Sequence, residues 1–223
     1  MKIDINNIKS IIFDMDGVIF DTELVYLEIW SKVFEKYGYK LQKEVYAEVL
    51  GTGRENVKKV FLNNYGNELP IDKMYREKDE DLEKAVDKGI PLKQGAYEIL
   101  SYLKNNNYKI ALATSASKER ALKQLRYADI EKFFDVIVSR DDVKETKPNP
   151  DIFLKAAKKL NVNPNECIVI EDSSAGIKAA FNAGMAGIHV VDLKEPDNEI
   201  IRNCYKSFNN LNDIRKEIEM IRG

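Results

Sequence analysis

The sequence predicts an α/β protein, a doubly wound parallel sheet carrying an inserted all-helical domain. Three observations carry this. Short β-rich runs, "YKIALAT", "FDVIVS", "CIVIED" and "AGIHVV", alternate with helical stretches over the second half of the chain, the pattern of βαβ units on a parallel sheet. Near the N-terminus, Ile11-Ile12-Phe13 together with Ile8 reads as one more buried strand. Between about residue 20 and residue 88 the apolar residues follow helical spacing and none of the runs reads as a strand.

Taken in order, the elements explain themselves. Leu27, Trp30, Val33, Phe34 and Tyr37 fall on one helical face, and Gly38 stops that helix. Val45 and Val49, then Val57, Val60 and Phe61, then Met74, Leu82 and Val86 mark three further helices, the last with the charge-rich run "REKDEDLEKAVDK" as a solvated face. The helical segment breaks at "DKGIPLKQGA", and the strand and helix alternation follows. Asn149 is placed to cap a helix with Pro150 at its first position, and Gly184 to end the helix that begins near Ser174. The first strand and the later block are expected to share one sheet. That divides the chain into a core of residues 1–19 and 89–223 and a helical domain of residues 20–88, smaller and set over the sheet's edge.

Composition narrows the function classes. With 223 residues, 44% hydrophobic and 32% charged, the chain can bury a sizeable core and reads as soluble and globular. The 35 basic and 37 acidic side chains nearly cancel, which leaves no electrostatic footprint for nucleic acid or an anionic membrane. No apolar run approaches the roughly 20 residues of a membrane span, and "MKIDINNIKS" lacks the apolar region of a signal peptide, so the expected location is cytoplasmic. Cys167 and Cys204 lie far apart without metal-ligand spacing and read as reduced thiols. His189 is the only histidine, which excludes a mechanism built on a histidine pair. Set in "AGIHVV", it reads as a core or strand-edge residue.

Ligands of an open parallel sheet bind outside the carboxyl ends of its strands. There "SIIF" ends at Asp14, "KIALA" at Thr114-Ser115, "CIVI" at Glu171-Asp172, and Lys147 lies in the loop after "VIVS". Asp14 and Asp16, one residue apart in extended chain, would project to the same side and repel without a cation or proton between them. With Asp172 as a third carboxylate, the donor set is all oxygen, which suits a hard cation, Mg²⁺ retaining several waters. A metal there lets a phosphate dianion approach a carboxylate. Thr114 and Ser115 offer hydroxyls and backbone N–H groups to that anion, and Lys147, on backbone stiffened by Pro148 and Pro150, adds a positioned charge. These parts suit phosphoryl transfer, with Asp14 as nucleophile and Asp16 as the proton carrier. A calcium loop starting at "DMDG" fails, because its twelfth residue is Val25 and a strand precedes it. Asp21 and Glu23 are expected to charge the first turn of the following helix. The "GTG" at residues 51 to 53 is too short for a dinucleotide fingerprint and follows no strand.

The stretches "DMDGVIFDTE", "LATSAS", "KPNPDIF" and "VIEDSSAGIKAA" resemble, in order, the four motifs of the haloacid dehalogenase superfamily of phosphotransferases. Within it the chain is similar to the phosphatases and sugar-phosphate mutases with a small helical cap. The resemblance covers essentially the whole chain and implies a Rossmann-like core with residues 20–88 as the cap. It implies a catalytic set of Asp14, Asp16, Thr114 and Lys147, with Thr114, Ser115 and Lys147 on the phosphate. For the metal it implies Asp14, Asp16 through its carbonyl, and Asp172, with Glu171 as a ligand or as support behind one. In "LGTGRENV", which resembles the loop that contacts the leaving group, Arg54 is the candidate for specificity. Mutases of this type usually carry a histidine where this chain has Tyr26 and a lysine where it has Leu50. That favours a Mg²⁺-dependent phosphatase of a small phosphorylated metabolite, a sugar phosphate, over a β-phosphoglucomutase-like isomerase. A phosphate- or metal-binding regulator without turnover is the third reading.

Overall fold

The computed structural model describes residues 7–50, 52–192 and 196–222; Gly51 of the "GTG" stretch and the first residues of "MKIDINNIKS" lie outside them. The chain divides into two compact units, Met1–Asp21 with Pro91–Gly223 and Thr22–Ile90.

The larger unit is built on one sheet. Its strands are β1 (Ser10–Phe13), β2 (Lys109–Ala113), β3 (Val136–Val138), β4 (Cys167–Glu171), β5 (Ala186–Val190) and β6 (Lys206–Phe208). They lie in the order β3-β2-β1-β4-β5-β6, and every neighbouring pair is parallel. The four residues of β1 and the five of β4 are all buried, as expected of central parallel strands covered on both faces. Phe13 stands in register with Leu112 on β2 and with Ile170 on β4, so three strands end level with one another. The order reverses between β1 and β4, the switch point at which doubly wound sheets bind ligands.

The smaller unit is helical: α1 (Thr22–Lys36), α2 (Lys43–Val49), α3 (Arg54–Tyr65) and α4 (Ile71–Lys88), with no strand among its described residues. Gly38, at φ +81°, follows the end of α1 and supplies the left-handed residue that a side chain would resist. Its core is aromatic. The Trp30 ring meets Phe61 edge-on at 5.2 Å and Tyr75 at 4.9 Å, and Phe34 meets Phe61 at 5.0 Å. Such edge-to-face pairs add to the area they bury.

Back in the larger unit, α5 (Ala96–Asn105), α6 (Lys118–Tyr127), α7 (Asp151–Leu160), α8 (Ser174–Asn182), α9 (Asn198–Asn203) and α10 (Leu211–Arg222) follow the strands. Ile12, Ala111, Ala113, Val138 and Val169 on one sheet face pack with Ile152, Phe153, Ala156 and Ala157 of α7 and with Ala179 and Ala180 of α8. The alanines let these helices lie close to the strands. The alternate residues Ile11, Phe13, Ile110, Leu112, Ile168 and Ile170 are buried too, with α5 against β2 and α10 against α5. No helix among the described residues is long and apolar enough to cross a membrane.

Three details differ from the sequence reading. A sixth strand exists: β6 is "KSF", three residues with two of them exposed, too short and too polar to leave a periodic signal. Ile8 precedes β1, which starts at Ser10. The helix after Lys147 begins at Asp151, with Pro150 at its N-cap. Asn149 still accepts the Asp151 N–H, at 3.0 Å, reaching two residues on as asparagine side chains do in turns.

Phe61 is fully buried among Trp30, Phe34 and Tyr65. Phe61→Ala is expected to destabilise the helical unit by about 3–5 kcal/mol. Urea unfolding followed by the fluorescence of Trp30, the only tryptophan, checks this, because that signal reports the unit itself.

Candidate active site

The site forms at the switch point. The Asp14 N–H donates to the Ile170 carbonyl at 3.0 Å, so the residue after β1 is tied to the end of β4. Lys147 reaches the same place from the loop before α7. Its Nζ lies 2.5 Å from Asp14 Oδ1 and 2.7 Å from Glu171 Oε1, and it also donates to the Ala113 carbonyl at 3.3 Å. All three charged side chains are at least nine-tenths buried, at 7% exposure for Lys147, 9% for Asp14 and 2% for Glu171. Glu171 is also held from the other side, where Ser173 donates its N–H and its hydroxyl to Oε2 at 2.7 and 2.9 Å. Ser173 caps α8 at the same time by accepting the Gly176 N–H. Gly176 is required by close approach: a Cβ there would lie 1.9 Å from Glu171 Oε1.

The electrostatics divide the two carboxyls. Burial pushes Asp14 up to about 7; the Lys147 charge opposes this and Glu171 adds to it. Burial acts on Glu171 in the same sense, but the Lys147 charge and the Lys147 and Ser173 hydrogen bonds outweigh it and hold Glu171 below its ordinary value. Burial likewise disfavours the Lys147 ammonium, and the charges of Asp14 and Glu171 overcome it and hold that group above its usual range. Lys147 is thus shared between the two carboxyls, at 2.5 Å from Asp14 and 2.7 Å from Glu171. Asp172 lies beside them. Ligand oxygens of Asp14, Glu171 and Asp172 all fall within 4.8 Å of one another. An all-oxygen group with more negative than positive charge fits a divalent cation.

The loop after β1 folds back tightly. Ile19 and Phe20 donate N–H groups to the Met15 carbonyl, and Gly17 donates to Phe20. Gly17 takes φ +73°, and a Cβ on it would lie 2.3 Å from Asp172 Oδ2, so glycine is needed for the turn and for the approach of that carboxylate.

The second aspartate of the turn has a partner from α6. The Asp16 Oδ1 accepts from Arg120 Nη2 at 2.5 Å, while Asp14 shares Lys147 with Glu171. Arg120 was missed in the sequence. It sits in the first turn of α6, where its N–H also binds the capping Ser117 hydroxyl at 3.3 Å, and the signal available was an arginine one turn into the helix that follows Thr114-Ser115.

Thr114 is buried, donating its N–H to the Val138 carbonyl at 3.0 Å while its hydroxyl accepts the Ala116 N–H at 3.0 Å. Ser115 beside it is exposed. Glu23 stands in the first turn of α1 and accepts the Tyr46 hydroxyl at 3.2 Å, whereas Asp21 lies 4.0 Å from Lys93. In the helical unit, the Arg54 guanidinium lies 4.2 Å from the centre of the Tyr75 ring and 3.4 Å from Asp79. Asp79 also meets Lys78, at 2.6 Å. These residues, with Tyr26, Trp30 and Leu50, line a cavity of about 300 Å³.

The chain is similar to known proteins. A family profile described as haloacid dehalogenase-like hydrolase matches residues 11–190. The chain is 34% identical over 183 residues to a phosphorylated carbohydrates phosphatase of Thermotoga maritima, covering 82% of this chain and 85% of that one. It is 36% identical over 190 residues to a beta-phosphoglucomutase of Bacillus subtilis, covering 82% and 83%. Among solved structures it resembles a beta-phosphoglucomutase from Clostridium difficile, with a TM-score of 0.73, 30% identity, and coverage of 96% of this chain and 97% of that one.

Removing one partner of a buried ion pair leaves the others uncompensated. Lys147→Met is expected to lower stability by about 3–5 kcal/mol, read by urea denaturation followed by circular dichroism. An unchanged midpoint would mean that Lys147 is not the cation on which Asp14 and Glu171 depend.

Proposed function

The chain belongs to the haloacid dehalogenase-like hydrolases and is a phosphoric monoester hydrolase, and from that premise we propose that it hydrolyses a small phosphorylated metabolite, a sugar phosphate, in the cytoplasm, with Mg²⁺ and through an aspartyl-phosphate. The observation that carries this reading is the buried contact of Lys147 with Asp14 and Glu171 at the switch point. A carboxylate beside a buried ammonium can approach a phosphate dianion at a smaller electrostatic cost.

In the proposed reaction an oxygen of Asp14 attacks phosphorus and the ester oxygen leaves, taking a proton from Asp16. A water then loses its proton to Asp16 and attacks the phosphorus of the aspartyl-phosphate, releasing inorganic phosphate and restoring Asp14. Lys147 bridges nucleophile and phosphoryl group, and Thr114 and Ser115 bind phosphate oxygens from the end of β2, neutralising charge that spreads over them in the transition state. Asp14, Asp172 and the Asp16 carbonyl are the proposed holders of Mg²⁺, with Glu171 in support. The ion, when bound, screens the phosphate's charge from the nucleophile. Arg54, in the cavity of the helical unit, is assigned to substrate selection.

A sugar-phosphate mutase is the second reading, favoured by the 36% identity to the Bacillus subtilis enzyme. Tyr26 and Leu50 weigh against it: both line the cavity of the helical unit, and neither offers a cation to a second phosphate.

Asp14→Asn is expected to lower turnover at least a thousandfold or so while its circular dichroism stays that of the folded parent chain; undiminished phosphate release would end the reading. Chelation should abolish phosphate release from a panel of sugar phosphates and added Mg²⁺ should restore it. The same panel, assayed with a sugar bisphosphate primer, separates the two enzymes, since isomerisation faster than phosphate release would establish the mutase.

A further inference from the structure

His189, the only histidine, takes no part in the chemistry above, yet it is fully buried one strand away from the acidic group. It stands on β5 in register with Glu171 on β4 and with Ser207 on β6, so the three side chains share a row across the sheet. Its Nδ1 lies 2.7 Å from the Ser207 hydroxyl, and its Nε2 lies 3.1 Å from the backbone oxygen of Asp172. A carbonyl oxygen only accepts, so Nε2 carries the hydrogen and donates to Asp172. In the neutral ring Nδ1 is then the acceptor, and Ser207 donates to it. An imidazole between Ile188 and Val190 costs free energy that an aliphatic residue would not, unless its polar atoms are paired. Here both are.

The peptide that receives the Nε2 hydrogen bond carries the Asp172 carboxylate. That carboxylate is seated against Gly17, with Oδ2 2.3 Å from where a Cβ would stand. The Asp172 carbonyl is thus held by His189, while its carboxylate lies close against Gly17 in the loop after β1. Asp172 also lies just beyond the last residue of β4, where the strand no longer sets the direction of the chain.

We propose that His189 is a positioning residue of the metal site: through the Asp172 carbonyl it fixes the carboxylate beside Asp14, and Ser207 fixes the ring. The inference rests on the reading of Asp14 and Asp172 as ligands of a divalent cation. Groups that orient a metal ligand from behind are worth about 10–100-fold in metal affinity when lost.

Calorimetric titration of the full chain with Mg²⁺, without substrate, is the test. His189→Phe keeps a ring but no polar atom and is expected to bind Mg²⁺ about tenfold or more weakly, with phosphate-release kcat recovering at saturating Mg²⁺. His189→Gln, whose amide N–H can replace Nε2, is expected to stay within about threefold of the parent affinity. Asp172→Asn is the reference. Loss of affinity in Asp172→Asn alongside parent affinity in His189→Phe overturns the role of His189. Parent affinity in Asp172→Asn overturns the metal reading, and the inference with it. If His189→Phe does not fold, Ser207→Val decides, since it leaves Nδ1 facing an apolar group. A loss of about threefold or more supports the inference and an unchanged affinity overturns it.

Discussion

A buried ammonium shared between two buried carboxyls is the interaction on which the larger unit turns. Lys147, Asp14 and Glu171 are each nearly inaccessible to water, and charges so placed are tolerable only in each other's company and with hydrogen bonds to spare. The surrounding structure supplies that company. The parallel register ends β1, β2 and β4 level, which sets Asp14, the Ala113 carbonyl and Glu171 around one point. Ser173 saturates the far side of Glu171, and Gly176 leaves room for it. Glu171 is thereby held from both sides, by Ser173 and by the Lys147 ammonium that it shares with Asp14.

The second aspartate of "DMDG" has a separate arrangement. Gly17 turns the chain directly after Asp16, and Arg120 on α6 takes the Asp16 carboxylate. The two aspartates, one residue apart, thus meet different cations, Lys147 and Arg120. In the helical unit the charges are also matched: Asp79 serves both Arg54 and Lys78, and Arg54 rests on the Tyr75 ring.

Much of this was legible along the chain. The β-rich runs, the helical stretch from Thr22 onward and the polar residues at the strand ends all follow from local period and from the rule that parallel sheets bind ligands at carboxyl ends. Asp14, Lys147, Glu171 and Asp172 could be assembled from those rules alone, and the structure brings them together. The strand "KSF" was not legible, because three residues, mostly exposed, have no period to read. Nor was Arg120, because a charged residue on a helix looks the same whether it faces water or another carboxylate.

By itself, then, the sequence determined the elements other than β6, the rim and the chemical types gathered there, since these depend on local pattern and on where strands end. The tertiary structure decided the pairings: Lys147 between Asp14 and Glu171, Arg120 on Asp16, and His189 between Ser207 and the Asp172 carbonyl. Such pairings depend on strand order and on which side chains burial leaves within hydrogen-bond distance, and residues such as Asp16 and Arg120, 104 positions apart in the chain, share no local signal that announces them.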